Sequence, residues 1–342
     1  MIAAALLALA ALVSTEASEG ARAPKPLYRD PIHDGAADPS TVYDPRSGEW
    51  LMFYTNRRAD LPLEDPGDVR WVHGTAIGIA RSADGANWRY GGTARIPEAC
   101  TGPTLWAPDV ERFGDTWHMW LTVVPGVFSD WNAPRFIVHL TSKDLVTWQC
   151  GERLELGSDK VIDASVVADP AVGYRLFFND ERLGKAIRTA TSRNLVDWTL
   201  GARLTQTPGE GPKAFRWKGA WWLVSDAWKG LLVMRSGDGE SWTRQPGYIL
   251  AEPGSAPTDR AKGQHPDVIV SGERAYIVYF VHQDGEDEAT RDPAWHRRSV
   301  LQIAELEERE GMLVVDREAP TYVHLVPPAG EDGVPAAGGG RP

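Results

Sequence analysis

The chain has 342 residues, a formal net charge of −11 and 24% charged residues. This acidity argues against a nucleic-acid partner, because phosphate binding depends on clustered Lys and Arg. The length allows one large domain or two ordinary ones. No linker interrupts the interior of the sequence, so we expect one catalytic or binding domain.

The first residues have the pattern of an export signal. An apolar run from Ile2 to Val13 is too short to span a bilayer, and small residues follow it. Ala21-Arg22-Ala23 is an acceptable cleavage site, although no Lys or Arg precedes the apolar run. We therefore predict a signal peptide over residues 1–23, a secreted or periplasmic protein, and no membrane span.

One turn motif recurs four times along the chain. Each copy has a Ser, then Asp, Asn or Gly residues that favour tight turns, and a Trp six residues after the Ser. Short β-branched and apolar runs flank each copy, so the motif predicts a hairpin turn whose Trp is buried in structural packing. The copies are RSADGANW (81–88), TSKDLVTW (141–148), TSRNLVDW (191–198) and RSGDGESW (235–242).

A second element precedes these hairpins and occurs five times. Each copy has a polar or acidic start, a short strand, a turn and an apolar aromatic strand; the fifth lacks the Ser…Trp turn after it. Five copies of four short strands predict an all-β, five-bladed β-propeller of antiparallel four-stranded blades over residues 28–325. The Pro/Gly-rich residues 328–342 predict a disordered tail.

Acidic residues begin most of the repeats. The first strand of a propeller blade lines the central channel, so its leading residues share one cavity. Crowded carboxylates oppose one another's ionisation, and glycoside hydrolysis needs one protonated acid and one ionised base. The residues that align near equivalent positions are Asp38, Asp109, Asp163, Glu210 and the His265/Asp267 pair.

These blade-leading motifs resemble those of glycoside hydrolase family 43 and its five-bladed relatives. The motifs are ADPS at 37–40, APDV at 107–110, IDAS at 162–165 and EGPKAF at 210–215. The resemblance implies that Asp38 is the general base, Glu210 the general acid and Asp163 the residue that tunes Glu210. It also implies an inverting, exo-acting glycosidase on plant or algal oligosaccharides of the arabinoside, xyloside or galactoside type.

The segment 54–85 is more similar to family 117, whose WVHGT motif would place His73 beside the sugar. Arg57, Trp71, Trp106 and Asp109 are further candidates for substrate binding. For each aromatic residue, packing within a blade is the alternative. The long insert at 283–299 is expected to form one rim of the pocket.

His265, in GQHPDV at 263–268, begins the fifth repeat. The resemblance implies that it holds a divalent cation on the channel axis, usually calcium and partly through water, or that it contacts substrate. Calcium prefers oxygen ligands, so we expect His265 to hold it through a water molecule. A histidine that is only hydrogen-bonded in the channel is the alternative.

Two other functions remain open from sequence. A retaining fructan hydrolase has this fold, although its motifs match AADPS and GEGPK poorly. A non-catalytic, carbohydrate-binding propeller is the second, although Asp38, Asp163 and Glu210 are all present. Cys100 and Cys150 form either a disulfide or two free thiols.

Overall fold

The computed structural model describes residues 20–283 and 294–328. Within these ranges the chain forms five antiparallel four-stranded sheets and one two-stranded sheet, with only short 3₁₀ turns and no α-helix. In each four-stranded sheet the strand order follows the sequence order. The predicted five-bladed, all-β propeller is confirmed.

The strands are numbered in chain order. Two short strands lie outside the blades: β1 (Ala21–Arg22) and β22 (Tyr322–Val323). Blade 1 comprises β2 (Ala36–Asp44), β3 (Glu49–Asn56), β4 (Ile77–Ser82) and β5 (Arg89–Thr93). Blade 2 comprises β6 (Thr104–Phe113), β7 (Thr116–Val124), β8 (Phe136–Ser142) and β9 (Gln149–Arg153).

The remaining blades have the same plan. Blade 3 comprises β10 (Val161–Asp169), β11 (Gly173–Asp180), β12 (Ala186–Ser192) and β13 (Thr199–Arg203). Blade 4 comprises β14 (Glu210–Trp217), β15 (Ala220–Asp226), β16 (Leu231–Ser236) and β17 (Trp242–Arg244). Blade 5 comprises β18 (Gln264–Ser271), β19 (Arg274–His282), β20 (Ser299–Arg309) and β21 (Met312–Val315). The 3₁₀ turns are Arg70–Val72, Glu98–Cys100, Glu181–Leu183, Pro257–Asp259 and Trp295–Arg297.

The first strands of the blades surround the channel. Each contacts the first strand of the next blade, and β18 contacts β2, so the ring is closed. The hydrophobic core consists mainly of five clusters of buried side chains that lie between successive blades. Large aromatic residues such as Trp120, Trp148 and Trp222 are fully buried there. Burial of this apolar surface stabilises the contacts between blades.

The segment before blade 1 packs against blade 5. Strand β1 pairs with β22, and Tyr28 forms a β-bridge with Leu301. The proposed cleavage site at residues 21–23 overlaps β1, while residues 1–19 of the predicted signal lie outside the described residues. Residues 284–293 of the insert and 329–342 of the tail lie outside them as well. The signal peptide, the pocket rim and the disordered tail therefore stay predictions.

The four turn motifs join the third and fourth strands of blades 1 to 4, as predicted. In blade 2, Ser142 Oγ accepts from the backbone N–H of Leu145, whose φ is +58°. Asp144 Oδ1 then accepts from the next two backbone N–H groups. Trp148 is fully buried, but the Trp residues of the other three copies are only half-buried. The sequence motif therefore predicts the turn better than it predicts the burial of its Trp.

Cys100 and Cys150 form a disulfide with a Cα–Cα distance of 5.6 Å. It joins the 3₁₀ turn before blade 2 to β9, the outer strand of that blade. This settles the alternative that the sequence left open. No helix among the described residues is long and apolar enough to cross a membrane.

Candidate functional site

Each first strand carries a bulge at the same place. The pairing between first and second strands shifts register after Ala37, Trp106, Ile162, Glu210 and Gln264. The next residue in every blade is in the left-handed region: Asp38 (φ 52°), Ala107 (44°), Asp163 (59°), Gly211 (53°) and His265 (34°). Such backbone is unfavourable for residues other than Gly and often occurs at functional sites. A fivefold repetition indicates that the blade architecture itself imposes it.

The bulge positions show that the acidic residues that begin the repeats are not all equivalent. Asp38 and Asp163 are equivalent, as expected, but Glu210 precedes the bulge position of its blade by one residue. Asp109 and Asp267 follow it by two residues. The extra residue of a bulge changes which side chains share a level. The acidic residues therefore lie on three levels of the channel.

The level of Glu210 and the level of Asp38 and Asp163 contribute to a cavity of about 430 Å³ at one end of the channel. Asp38, Asp163 and Glu210 all line it, each from a different blade. The other lining residues are Thr55, Arg57, Trp71, Val72, Trp106, Trp131, Arg135, Ile162, Glu181, Lys185, Trp228, Gln264, His265, Phe280 and His282. The cavity combines carboxylates, cations and four Trp side chains, which suits a polar ligand with apolar faces.

Glu210 is held by Trp228, whose indole Nε1 donates a hydrogen bond of 3.0 Å to Oε1. Burial raises the pKa of Glu210 to about 7, with further contributions from the charges of Asp226 and Asp38, against the opposing effect of Lys185. The Asp226 side chain is itself buried, and burial raises its pKa to about 6. Glu210 can thus hold or release a proton near neutral pH.

Asp163 lies beside Glu210 along the ring of first strands. Its Oδ2 accepts a hydrogen bond of 2.9 Å from the backbone N–H of Gly211. Burial, followed by the charges of Glu210 and Asp38, raises the pKa of Asp163 well above its ordinary value. Gly211 is required here because an added Cβ would lie 2.6 Å from the His265 ring, in a left-handed backbone.

His265 lies between two of the carboxylates. Its Nδ1 is 3.2 Å from Asp38 Oδ1 and 4.0 Å from Asp163 Oδ2. Burial lowers the pKa of His265, although the charge of Asp38 opposes that effect. A neutral imidazole can orient the Asp38 carboxylate without adding a full positive charge beside it.

Arg57 lines the cavity, and no carboxylate among the described residues lies at salt-bridge distance from it. Its guanidinium lies over the Phe280 ring, 4.3 Å from the centroid, and its Nε and Nη2 are buried with no hydrogen-bond partner in the part of the chain that the structure describes. Arg135, by contrast, forms an ion pair of 2.6 Å with Glu181. Arg57 is therefore the lining guanidinium that is available to bind an oxygen of a ligand.

The cavity includes some of the expected substrate-binding residues and leaves out others. Arg57, Trp71, Trp106 and His265 line it. His73 does not: its buried ring packs against Trp106, Phe128 and Trp131, behind the cavity wall. Asp109 does not either, because its carboxylate is bound to Lys213 in the channel interior. Both positions argue against the direct substrate contact that the sequence suggested.

Several lining residues escaped the sequence analysis. Trp131 and Arg135 come from the connection between β7 and β8, and Glu181 and Lys185 from the connection after β11. These connections carry no repeated motif, so alignment of the repeats could not mark them. Their charged and aromatic composition, next to the apolar strands, was the available signal.

The described side chains offer few donors for the calcium ion expected at His265. Within residues 20–283 and 294–328, no group of three or more His, Cys, Asp or Glu side chains is arranged to hold a metal ion. Calcium takes six to eight oxygen ligands, whereas His265 offers one imidazole whose Nδ1 already faces Asp38. The described side chains therefore do not fit direct calcium binding.

The chain is similar to several solved structures. No family model and no curated protein matches the chain. A thermostable family-43 glycoside hydrolase matches with a TM-score of 0.62 and 15% identity, over 88% of this chain and 99% of its own. A GH43 β-xylosidase/α-arabinofuranosidase from a compost microbial metagenome, in complex with xylotriose in a calcium-free form, matches with a TM-score of 0.61. Its identity is 14%, over 87% of this chain and 97% of its own.

The GH43_1 enzyme from Xanthomonas citri, complexed with xylotriose, also matches, with a TM-score of 0.60 and 16% identity. The match covers 92% of this chain and 96% of the other. At such identities the likeness establishes the fold, and fold alone does not fix an activity. The family-43-like propeller expected from the blade motifs is thus confirmed as a fold.

Proposed function

We propose that this protein is an inverting, exo-acting glycoside hydrolase. The observation that carries the proposal is the presence of Asp38, Asp163 and Glu210 in one cavity, with the pKa of Glu210 raised to about 7. A glycosidase needs a carboxyl group that is still protonated near neutral pH and a second that is ionised. The likeness in fold to family-43 glycoside hydrolases supports this reading.

Glu210 is the general acid in this proposal. Protonated Glu210 donates its proton to the leaving glycosidic oxygen as the bond to the anomeric carbon breaks. Trp228 fixes one oxygen of the carboxyl group, which leaves the other free to face the substrate. Asp163 accepts a hydrogen bond from the backbone N–H that follows Glu210 and so positions this acid, while burial and the charges of Asp226 and Asp38 keep it protonated.

Asp38 is the general base. It takes a proton from a water molecule as that water attacks the anomeric carbon from the face opposite Glu210. The neighbouring imidazole of His265 fixes the orientation of its carboxylate. Inversion follows because water, and not the carboxylate, forms the new bond to carbon.

The substrate is proposed to be an oligosaccharide with a terminal arabinosyl, xylosyl or galactosyl unit. Arg57 would bind hydroxyl oxygens of the terminal sugar, since its buried Nε and Nη2 have no partner among residues 20–283 and 294–328. The Trp131 side chain lines the cavity yet is 51% exposed, so it offers a stacking surface for the next sugar. A single deep cavity fits removal of terminal units better than cleavage within a polymer.

Export belongs to the proposal as well, whereas a bound metal ion does not. A disulfide persists in oxidising compartments, so the Cys100–Cys150 bridge supports a secreted or periplasmic location. One structural neighbour is described as a calcium-free form, which indicates that calcium is relevant to that protein. No step proposed here uses a metal ion.

The test is hydrolysis of aryl and oligomeric arabinosides, xylosides and galactosides, with the product anomer followed by NMR from the first turnovers. We expect one sugar class to be hydrolysed and the product to have inverted configuration. A product of retained configuration would instead identify the retaining fructan-type alternative. Binding of oligosaccharide without turnover across the panel would identify a non-catalytic propeller.

A further inference from the structure

A ring of hydrogen bonds joins the blades one level deeper than the bulge. Two residues after the bulge, a side chain accepts from the backbone N–H of the next blade. Ser40 accepts from Val110, Asp109 from Val166, Ser165 from Ala214 and Asp267 from Thr41. These bonds link blades 1 to 2, 2 to 3, 3 to 4 and 5 to 1.

Blade 4 breaks the pattern, because its residue at this level is Lys213. An ammonium group has no acceptor, so it cannot continue the ring to blade 5. It donates instead to Asp109 Oδ1 and Glu111 Oε1, each at 3.1 Å, and lies 3.3 Å from Asp267 Oδ1. Lys213 is only 8% exposed, so this charge is held inside the protein.

The contacts of Lys213 reach every blade. It belongs to blade 4 and binds carboxylates of blades 2 and 5 directly. The other oxygen of Asp109 accepts from blade 3, and the other oxygen of Asp267 accepts from blade 1. One buried cation therefore connects all five first strands.

We propose that the Lys213 ammonium is the built-in cation of the channel and holds the place that a divalent metal ion would otherwise take. Two buried carboxylates, Asp109 and Asp267, and the half-buried Glu111 crowd together here, and such a cluster needs a positive charge nearby. Burial alone would lower the pKa of Lys213, but the charges of Asp109, Asp267 and Glu111 raise it well above its ordinary value. The protein thus meets the charge requirement covalently and needs no dissociable ion.

The first test is chelation of the wild-type protein. We expect EDTA, followed by added Ca²⁺, to leave its unfolding temperature and its circular dichroism unchanged. Loss of stability in EDTA that is restored by Ca²⁺ would overturn the proposal, because it would show that a dissociable metal supports the channel.

Lys213→Met removes the charge while it keeps most of the volume. It leaves carboxylates buried without their cation, and we expect the unfolding temperature to fall by about 10 °C. Lys143→Met is the matched control, because Lys143 forms an exposed ion pair with Asp115 and should change the unfolding temperature by less than about 2 °C. Equal stability of Lys213→Met and wild type would contradict the proposal.

Lys213→Ser provides a test that does not depend on the Met variant folding. Ser occupies the same level in blades 1 and 3, so the backbone accepts it, and its hydroxyl can accept from the Val268 N–H. It also leaves space among the oxygens of Asp109, Glu111 and Asp267, which need move inward by only about 0.7 Å to reach calcium–oxygen distances. We expect this variant to be destabilised in EDTA and restabilised by at least about 5 °C in millimolar Ca²⁺.

Neither wild type nor Lys213→Met should respond to Ca²⁺, because both fill the site with a long side chain. Calorimetric titration of Lys213→Ser with Ca²⁺ should give one site per chain. If this variant shows neither destabilisation in EDTA nor Ca²⁺ binding, the carboxylates do not form a cation site and the proposal is wrong.

Discussion

Two groups of three carboxylates share the propeller channel, and they differ in one respect. Asp109, Glu111 and Asp267 surround the Lys213 ammonium within 3.1–3.3 Å. The other group, Asp38, Asp163 and Glu210, has no Lys or Arg within salt-bridge distance among the described residues; a His265 nitrogen is its nearest ionisable partner. Burial raises the pKa of Glu111 to about 7, as it does for Glu210, and also raises the pKa of Asp109, so the groups differ in the nearby cation and not in whether their pKa values rise.

The difference indicates how one fold serves both stability and chemistry. A central cation lets buried carboxylates act as hydrogen-bond acceptors that join the blades. In the other group, burial and the neighbouring carboxylates raise the pKa of Glu210 to about 7 and that of Asp163 well above its ordinary value, so a proton can be held there near neutral pH. That proton is what an acid catalyst donates. In the proposed mechanism the second group supplies the acid proton, while the first group joins the blades.

The largest expected effect concerns Asp38. Asp38→Asn removes the base and should lower kcat by about 10³–10⁴-fold for every leaving group, because no leaving group replaces a missing base. Azide should restore part of the rate and give a glycosyl azide of inverted configuration. An azide product of retained configuration would show that Asp38 is the acid/base residue of a retaining enzyme, because two displacements at the anomeric carbon are then needed.

Glu210→Gln should have a smaller effect that depends on the leaving group. The amide keeps the shape and the contact with Trp228 but has no transferable proton. We expect a loss of about 10²–10³-fold in kcat for alkyl glycosides and a much smaller loss for dinitrophenyl glycosides, which need little protonation. Glu273→Gln, at an exposed turn of blade 5, is the control and should leave both rates unchanged. The same loss for both leaving groups would contradict the acid role.

The sequence predicted the fold and part of the cavity for reasons that can be traced to particular residues. The repeated Ser…Trp turns and the apolar second strands establish blade number, since both recur at each blade or nearly so. Asp38, Asp163 and Glu210 were found because they begin repeats. Asp109 and His73 do not line the cavity, because a bulge and contacts with residues distant in sequence decide which side chains reach it.

Lys213 stands within the EGPKAF motif, but its role depends on partners more than 50 residues away in blades 2 and 5, which no single repeat contains. Trp131 and Lys185 lie in connections outside the repeated motifs, and Asp226 ends the second strand of its blade, so alignment of the repeats marks none of them. Charge compensation between blades is a property of the closed ring, and single repeats do not contain it.

The pH dependence of activity and stability should separate the two groups further. Glu210 must be protonated to act, so kcat/KM should fall above a pKa of about 7. The raised pKa of Glu210 also makes the free energy of unfolding depend on pH. A carboxyl whose pKa is raised on folding favours the folded state at pH below its unfolded pKa, and that advantage is lost as pH rises through about 7.

Glu210→Gln removes that loss. We expect it to be more stable than wild type by about 1–3 kcal/mol at pH 8 and equal to it near pH 4, as measured by urea unfolding at both pH values. Glu273→Gln should show no such divergence. A Glu210→Gln variant that is less stable than wild type at pH 8 would show that the ionised carboxylate is stabilised in the fold.

The smallest expected effect concerns the hydrogen bond that Trp228 gives to Glu210. This bond favours the ionised carboxylate, so it opposes the burial and the neighbouring charges that raise the pKa of Glu210. Trp228→Phe removes the N–H and keeps a ring against Lys185, whose Nζ lies 4.7 Å from the centroid of Trp228. We expect the alkaline limb of kcat/KM to move upward by about half a pH unit, with a change in kcat below about fivefold.

Trp242→Phe, in the turn of blade 4, is the matched control because its N–H donates to the Gly239 carbonyl, and the alkaline limb of this variant should stay in place. A downward shift for Trp228→Phe would mean that the indole N–H favours the protonated acid, and Glu210 would then owe its raised pKa to Trp228 as well as to burial.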